Sequence, residues 1–270
     1  PTPTVRRPLR LCTTTAAAAG EPSALEIRRL TWAGVQIASA DTTVFVDVVA
    51  RDIWDGAAPG GYVAPTPVTE RRYALVTHVH NDHFDAGSLK TLLGERGYVV
   101  CHESVAVHIA SRGLKVIPAR LYEPVSRAGF TFLAVPAVDG TGDEQVSWVI
   151  RHGDVRLFHG GDTMLHGRLA AIGNDYGPFD AAFLPVNGAT LRLREDLSAR
   201  AVMTPEEAAF AATALRAAIA VPIHYGLSDP RYYIEEPNAR ERFAAALNGS
   251  RVAAVALRPG ERLGADALQR

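Results

Sequence analysis

Cysteine is scarce in this chain of 270 residues, which contains only Cys12 and Cys101. Two thiols outside any CxxC pair cannot build a disulfide framework, so the small disulfide-rich secreted domains are excluded and a reducing compartment is favoured. Long apolar runs are also absent, since none approaches the roughly 20 residues that a membrane-spanning helix needs. The sequence therefore favours a cytoplasmic protein with no membrane partner.

Net charge is nearly absent as well, because 28 Lys and Arg residues balance 29 Asp and Glu residues and leave a formal charge of -1. Without a basic excess or an evident basic arm, nucleic acid is disfavoured as a partner. The apolar fraction of 47% is that of a globular protein and excludes a mainly disordered chain. We therefore expect partners to be recognised at a local site.

The first 24 residues differ in pattern from the rest of the chain. Arg6 and Arg7 precede Pro8 and a short stretch rich in Thr and Ala. A twin-arginine export signal begins with such an arginine pair, but the apolar stretch here is short and interrupted by proline. We expect residues 1–24 to form a disordered tail and residues 25–270 to form one domain, with export as the alternative.

From residue 25 onward, short apolar segments alternate with helical patterns. Strands are predicted at residues 25–31, 35–38, 43–48, 73–77, 98–101, 114–117, 130–135, 145–150, 155–159, 183–186, 219–223 and 252–257. Helices are predicted at residues 86–93, 104–111, 239–247 and directly after Thr204. Thr204 is followed by Pro205 and, three residues on, by Glu207, which is the pattern of a capping box. This order of elements indicates an α/β fold in which two sheets pack face to face and helices cover them.

The segment from Ala50 to Glu70 is rich in Gly and Pro and is predicted to be a long loop. Loops of this length in a compact domain are often functional. Trp54 and Tyr62 lie in it, and two roles stay open for these rings: they cover a ligand, or they fix the loop to the body of the protein.

Three imidazoles and a carboxylate lie within six positions directly after the predicted strand 73–77, in His78, His80, Asp82 and His83. A helix cannot point these four side chains at one centre, whereas a loop that leaves a buried strand can. Neutral imidazole and carboxylate together are the ligand set of Zn, Fe or Mn. A group of exposed loop histidines is the alternative, but this density of ligands after an apolar strand favours a metal site.

Two later segments also place a ligand-type side chain just after a predicted strand. Asp162 follows strand 155–159 in the segment His-Gly-Gly-Asp-Thr, and His224 follows strand 219–223 in Val-Pro-Ile-His-Tyr-Gly. Taken singly, Asp162 is an ordinary turn residue and His224 an ordinary buried histidine. Their order and their placement at strand ends make both candidates for the same metal site.

Together these segments resemble the metallo-β-lactamase superfamily, whose hallmark is H-x-H-x-D-H at a strand end, followed by a Gly-Asp-Thr segment and a final histidine after a strand. The resemblance covers roughly residues 25–257 and implies a four-layer αβ/βα sandwich. The segments Leu184–Gly188, Thr204–Ala208 and Pro222–Tyr225 are similar to one branch, the UlaG-like (L-ascorbate-phosphate lactonase-like) enzymes. That branch also resembles phospholipase D-type enzymes acting on N-acyl phosphatidylethanolamine.

The resemblance implies two divalent metal ions, with Zn favoured and Mn or Fe as alternatives. The implied ligands are His78 and His80 for the first ion and Asp82, His83 and His224 for the second, with Asp162 bridging the two. A carboxylate beside an activated water can also accept its proton, which makes Asp82 the candidate catalytic residue.

One position departs from the family pattern, because Asp139 stands where the family has a third histidine for the first metal. A carboxylate ligates zinc, also suits harder metals such as Mn or Mg, and makes the water between the metals less acidic. Three interpretations stay open. Asp139 is a ligand; or the first metal is weak or absent; or the position is altered, with another side chain such as His159 or His166 in its place.

Four further expectations concern residues near these segments. Asp47, at the end of strand 43–48, matches a family carboxylate and is expected to hydrogen-bond a ligand histidine. His159 is a candidate for orienting a ligand, and Tyr225 for contacting substrate. The arginines Arg192, Arg194 and Arg200 are expected to be ordinary loop charges.

The resemblance implies that residues 25–270 form a metal-dependent hydrolase, in which a metal-bound hydroxide attacks a small-molecule lactone, ester or phosphoester. The UlaG-like branch favours a lactone or a phosphorylated sugar, although a fold alone does not fix a function. Asp139 motivates an alternative, a metal-binding or ligand-sensing protein with little turnover. A small molecule is the expected partner, and a homo-oligomer stays open.

Overall fold

The computed structural model describes residues 25–49, 61–194, 197–227, 231–264 and 268. The expected tail of residues 1–24 lies outside these ranges, as does Trp54 in the predicted loop. Within these ranges, no helix has both the length and the apolar character needed to cross a membrane.

Seventeen strands and five helices are assigned in the described part of the chain. The strands are β1 (Glu26–Arg29), β2 (Val35–Ala38), β3 (Thr42–Val46), β4 (Arg71–Val76), β5 (Tyr98–His102), β6 (Val116–Ala119), β7 (Pro124–Arg127), β8 (Phe130–Pro136), β9 (Val146–His152), β10 (Val155–His159), β11 (Phe179–Pro185), β12 (Thr190–Arg194), β13 (Leu197–Arg200), β14 (Ala217–Ile223), β15 (Tyr233–Ile234), β16 (Ala253–Ala254) and β17 (Arg262–Leu263). The helices are α1 (Ala86–Leu93), α2 (Glu103–Ser111), α3 (Arg168–Asp175), α4 (Pro205–Ala214) and α5 (Ala239–Ala246).

Two seven-stranded sheets form the body of the protein. The first has the strand order β17-β1-β2-β3-β4-β5-β6, and the second has the order β16-β14-β11-β10-β9-β8-β7. Strands β3 to β6 pair in parallel, and so do β10, β11 and β14. Because parallel strands end at the same edge of a sheet, the segments after β3, β4, β10, β11 and β14 lie where a site can be assembled.

The two sheets pack face to face, and this follows from the alternation of side chains along each strand. In β8, Phe130 and Phe132 belong to the core between the sheets, whereas Leu133 and Val135 belong to the core beneath helices α3, α4 and α5. Residues of the first sheet likewise pack on their other face against α1 and α2. The predicted α/β fold with four layers is therefore confirmed.

Helix α4 begins as the sequence predicts. The Thr204 side chain accepts a hydrogen bond from the Glu207 amide, and the Glu207 carboxylate accepts one from the Thr204 amide, with Pro205 in the first turn. This capping box satisfies two backbone donors that would otherwise be unpaired at the helix start. It fixes the outer layer behind the second sheet.

A small third sheet, with the order β13-β12-β15, was not predicted, and the expectation that Arg192, Arg194 and Arg200 lie in loops is wrong. Residues 190–194 and 197–200 form an antiparallel pair to which residues 233–234 add a third strand. The alternation Thr-Leu-Arg-Leu-Arg in β12 is a strand signal that its charged residues obscured. Strand β7, helix α3 and strand β17 were also missed, and only residues 253–254 of the predicted strand 252–257 form a strand.

Candidate metal centre

Four buried side chains meet at the edge where the two sheets face each other. Asp82, His83, Asp162 and His224 each offer one ligand atom, and these atoms all lie within 4.8 Å of one another. Asp162 lies between the two imidazoles, with Oδ1 2.9 Å from His83 Nε2 and Oδ2 3.0 Å from His224 Nε2. Asp82 Oδ2 is 3.6 Å and 3.5 Å from the same two nitrogens. We call these four residues the inner group.

Three further side chains form an outer group beside it. His78, His80 and Asp139 also offer ligand atoms within 4.8 Å of one another, and of these only His78 is buried. His78 Nε2 is 4.0 Å from Asp162 Oδ2, so Asp162 lies between the groups. The structure thus brings together all seven residues that the sequence singled out as metal ligands.

The local backbone explains how distant residues converge. His78, His80, Asp82 and His83 follow β4, in a turn where the amides of His83 and Phe84 bond to the His80 carbonyl before α1 begins. Asp162 follows β10, and His224 follows β14 with a left-handed φ of 57° that turns its side chain out of the strand direction. Two sheets therefore each contribute one edge to the site.

Asp47 lies behind the inner group, directly after β3. Its Oδ2 is 2.9 Å from His83 Nδ1, and its two oxygens accept hydrogen bonds from the amide and the hydroxyl of Thr77. His83 Nδ1 therefore donates to a carboxylate, which fixes the ring and leaves Nε2 facing the group. This is the contact expected of Asp47 from the sequence.

His78 is oriented through Thr77. The Thr77 hydroxyl gives its only proton to Asp47 and lies 2.9 Å from His78 Nδ1, so it accepts a hydrogen bond from that nitrogen. The lone pair of His78 then resides on Nε2. Burial also lowers the pKa of His78 to about 4, which keeps the ring neutral at physiological pH.

Two residues that sequence reasoning missed, Trp32 and Tyr233, contact the side chains of Asp82 and His224. Trp32 Nε1 donates to Asp82 Oδ2 at 3.1 Å, and its ring lies 4.0 Å from that of His224, centroid to centroid. Tyr233 Oη is 3.4 Å from His224 Nδ1 and accepts a hydrogen bond of 2.8 Å from the Asn187 side chain. No ligand pattern marks either residue: Trp32 lies 50 positions from Asp82 in sequence, and Tyr233 lies 9 positions from His224.

The pKa values of the four inner-group side chains depend strongly on one another. Burial alone would raise the pKa of Asp162, but His224 and His83 outweigh it and hold that pKa well below its usual range. The same balance, led by His83, lowers the pKa of Asp82. Conversely, burial would lower the pKa values of His83 and His224, but the carboxylates, Asp162 foremost, raise both. Buried carboxylates among imidazoles thus create a negative potential that favours a cation.

The residues fit a divalent metal. The Nε2 atoms of His78, His83 and His224 and the Oδ1 atom of Asp162 are buried and have no well-directed hydrogen bond within the described chain. Buried polar atoms are normally satisfied, so four such atoms aimed at one place indicate ligands to an ion. Two imidazoles and two carboxylates in the inner group are a donor set typical of Zn, Fe or Mn.

Asp139 is held by its own loop. Its Oδ1 accepts hydrogen bonds from the Thr141 amide at 2.6 Å, the Gly142 amide at 3.1 Å and the Thr141 hydroxyl. Asp143, which sequence reasoning also missed, places Oδ2 2.8 Å from His80 Nε2. Asp139 is therefore held within its own loop, whereas His80 is held by a residue 63 positions away in sequence.

Neither His159 nor His166 belongs to either group among the described residues. His159 Nε2 lies 2.8 Å from the Ala33 carbonyl, and its Nδ1 accepts from the Gly161 amide and lies 3.9 Å from Asp47. It thus supports the segment that carries Asp162. Asp139 is the side chain that the structure places in the third position of the outer group.

A cavity of about 220 Å³ opens onto both groups. Its lining residues are His80, Asn81, Asp82, Asp139, Thr141, Asp162, Leu191, Ala201, Tyr232 and Tyr233. The third sheet contributes its outer wall through Leu191 and Tyr233. Tyr225, expected near substrate, does not line this cavity; its hydroxyl lies 2.6 Å from Arg29 Nη1 instead.

Comparison with known proteins agrees with this geometry. A family described as the β-lactamase superfamily domain matches residues 56–225, which is more than half of the chain. The chain belongs to the metallo-β-lactamase superfamily. Its relatives include the UPF0173 metal-dependent hydrolase of Thermococcus kodakarensis, 30% identical over 76% of this chain and 86% of the relative. The corresponding Thermus thermophilus protein is 33% identical over 71% of this chain and 80% of the relative.

Solved structures share the fold. A metallo hydrolase from Ignicoccus hospitalis superposes with a TM-score of 0.63 at 17% identity, over 88% of this chain and 97% of the other. On the family match and the curated relatives, this metallo-β-lactamase superfamily member is a metal-dependent hydrolase.

Proposed function

We propose that this protein is a binuclear zinc hydrolase that acts on a small lactone or on a related small ester or phosphoester. The observation that carries the proposal is that Asp162 of the inner group lies 4.0 Å from His78 of the outer group, and that both groups open onto one cavity. A shared carboxylate is what two neighbouring cations require, and a cavity of about 220 Å³ suits a small molecule.

Each ion would be held by its own group. His78, His80 and Asp139 would hold the first, and Asp82, His83 and His224 the second, with Asp162 reaching both. When bound, a pair of divalent cations supplies a Lewis acid for the substrate oxygen and lowers the pKa of water between them. The side chains that line the cavity would perform the other steps.

Asp82 is positioned to accept the proton of the attacking water. Its Oδ2 accepts a hydrogen bond from Trp32 Nε1 and lies towards the two imidazoles of the inner group. The same side chain lines the cavity. An acceptor held at one oxygen keeps a fixed direction for the other. Oδ1 would therefore accept the proton and later return it to the leaving alkoxide.

The walls of the cavity support a compact, partly polar substrate. Leu191 and Tyr232 present apolar surface, and Asn81 and Thr141 present groups that hydrogen-bond. A lactone has one apolar ring and one polar ester, which matches this division. The segments Leu184–Gly188 and Pro222–Tyr225 are also similar to those of lactonase-like enzymes, which favours a lactone within the wider class.

The test measures metal content and turnover on the same preparations. We expect two equivalents of zinc by mass spectrometry, and hydrolysis of at least one member of a panel of chromogenic lactones, esters and phosphodiesters. His224→Ala should abolish turnover, whereas His108→Ala, a matched change of an exposed histidine on α2, should not. Zinc-loaded protein without turnover on any member would overturn the proposal.

Asp139→His separates an impaired site from a specialised one. If the natural protein binds one equivalent without turnover, and Asp139→His gains both the second ion and activity, then the metal-binding or sensing alternative is correct. If the natural protein is active and Asp139→His changes only the preferred metal, the carboxylate is a working ligand.

A further inference from the structure

A second cavity, of about 430 Å³, lies apart from the metal centre and shares no lining residue with the cleft described above. Its walls include Arg29 from the end of β1, Tyr225, Arg240 from α5, and the Arg258–Glu261 segment. Backbone hydrogen bonds of Arg29 to Glu261 and to Gly260 hold two of these walls together. The backbone of the fold therefore holds the walls of this cavity in place.

Arg29 is the unusual member of this cavity because only 2% of it is exposed. Its Nη1 donates to the Tyr225 hydroxyl and to the Leu257 carbonyl, but its Nε is buried and has no hydrogen-bond partner. No carboxylate of the described chain forms an ion pair with it. A buried charge that lacks an ionic partner is costly, and such charges are ordinarily paired.

The other charges around the cavity are matched to each other. Both oxygens of Glu261 accept from Arg258, at 2.6 Å from the side chain and 2.8 Å from the amide. Arg240 donates to Glu241 at 3.0 Å. The lining as a whole carries three positive charges, on Arg29, Arg240 and Arg258, against the one carboxylate of Glu261, which also interacts electrostatically with Arg29. The Tyr225 ring, 4.4 Å from the guanidinium carbon of Arg29, is an uncharged partner and compensates only partly.

We propose that this cavity binds a small molecule carrying an oxyanion, whose carboxylate or phosphate oxygens pair with Arg29. Guanidinium groups recognise both oxyanions through charge-assisted hydrogen bonds, and the exposed parts of Arg240 and Arg258 flank the entrance. The ligand neutralises the excess positive charge that the guanidinium groups bring to the cavity. Because Tyr225 directly follows His224, a ligand here lies against the segment that carries an inner-group side chain.

The test is calorimetric titration of the zinc-loaded full chain with inorganic phosphate and, separately, with citrate, at matched ionic strength set by sodium chloride. The two probes distinguish a phosphate ligand from a carboxylate one. We expect saturable binding of one equivalent of at least one probe. Arg240→Gln and Arg258→Gln should each weaken it by roughly fivefold or more, and Arg29→Met should abolish it.

Three comparisons keep the result decisive. Arg262→Gln removes an exposed charge that pairs with Glu26 and does not line the cavity, and it should leave the affinity unchanged. His80→Ala alters the metal cleft and should also leave it unchanged, so the proposed hydrolase function and this site can fail separately. Where circular dichroism shows that Arg29→Met does not fold, the affinities of the two rim variants, Arg240→Gln and Arg258→Gln, decide the proposal.

Absence of binding to the natural protein would overturn the proposal. So would equal weakening by Arg262→Gln, which would indicate an effect of net charge alone. Loss of binding in His80→Ala with retention in both rim variants would place the probe at the metal centre and would likewise overturn it. In each of these cases Arg29 would be a structural tie to Tyr225 and Leu257.

Discussion

The inner and outer groups open onto one cavity but are built from different kinds of structure. Every residue of the inner group is buried, and buried partners outside the group hold three of its side chains: Asp47 on His83, Trp32 on Asp82 and Tyr233 on His224. In the outer group His80 and Asp139 are half-buried and are held by their own or neighbouring loops. The fold thus preorganises one ion position more than the other, and the inner ion should bind more tightly.

The largest expected effect comes from Asp162→Asn, because this side chain lies within the inner group and 4.0 Å from His78 of the outer group. Replacing the shared carboxylate should remove both ions and lower the rate of hydrolysis by about 10³-fold, equivalent to about 4 kcal/mol. Asp154→Asn, in the exposed turn between β9 and β10, is the matched control. Retention of two ions by Asp162→Asn would show that the two ion positions do not depend on this carboxylate.

Next in size is the contrast between His224→Ala and His80→Ala, measured as zinc per chain after dialysis. Removing the buried inner ligand should leave less than one equivalent, whereas removing the half-buried outer ligand should leave the inner ion in place. The reason is that the inner position loses one of four convergent buried donors. Equal losses from both variants would show that burial does not separate the two positions.

Asp47→Asn should have an intermediate effect, because Asp47 does not line the cavity at the metal centre and acts through His83. Loss of a carboxylate behind a ligand histidine typically weakens metal affinity about 10- to 100-fold. Competition with a chromophoric chelator should show this loss for the tighter ion, with the weaker ion little changed. A uniform decrease for both ions would instead indicate a general loss of fold.

Thr204→Ala should have the smallest effect on the site, because the capping box lies at the start of α4 behind the second sheet. Loss of the cap should lower the free energy of unfolding by about 1 kcal/mol, measured by urea denaturation. Zinc affinity at both positions should stay unchanged. A loss of metal in this variant would mean that the outer helices control the inner group.

Most strands and helices around the site could be predicted from the sequence. Strands β2 and β10 and helix α1 have the predicted bounds, because each is a short apolar or amphipathic segment bounded by turn residues. The third sheet could not be recognised in the same way, since β12 and β13 carry arginines and β15 has only two residues. The pairing of β12 with β13 is local, whereas β15 joins β12 from a later part of the chain.

The candidate ligands could be found from the sequence because ligand chemistry restricts residue type, and strand ends restrict position. His78, His80, Asp82 and His83 are close in the chain, and Asp162 and His224 each follow an apolar strand. Trp32, Tyr233 and Asp143 could not be found, because a partner of a ligand carries no restricted residue type and no fixed spacing. The buried charge of Arg29 was equally hidden, since burial and ion pairing are properties of the packed chain.

The sequence by itself determined the four-layer architecture and the types of side chain available to bind metal. The physical reason is that alternation and strand-end placement are local and repeat along the chain. Only the tertiary structure decided which of those side chains are buried and which carbonyls, hydroxyls and rings orient them. It also decided that Arg29 and Tyr225 face a second cavity, because the distances and burial that define a site exist only after distant strands pack together.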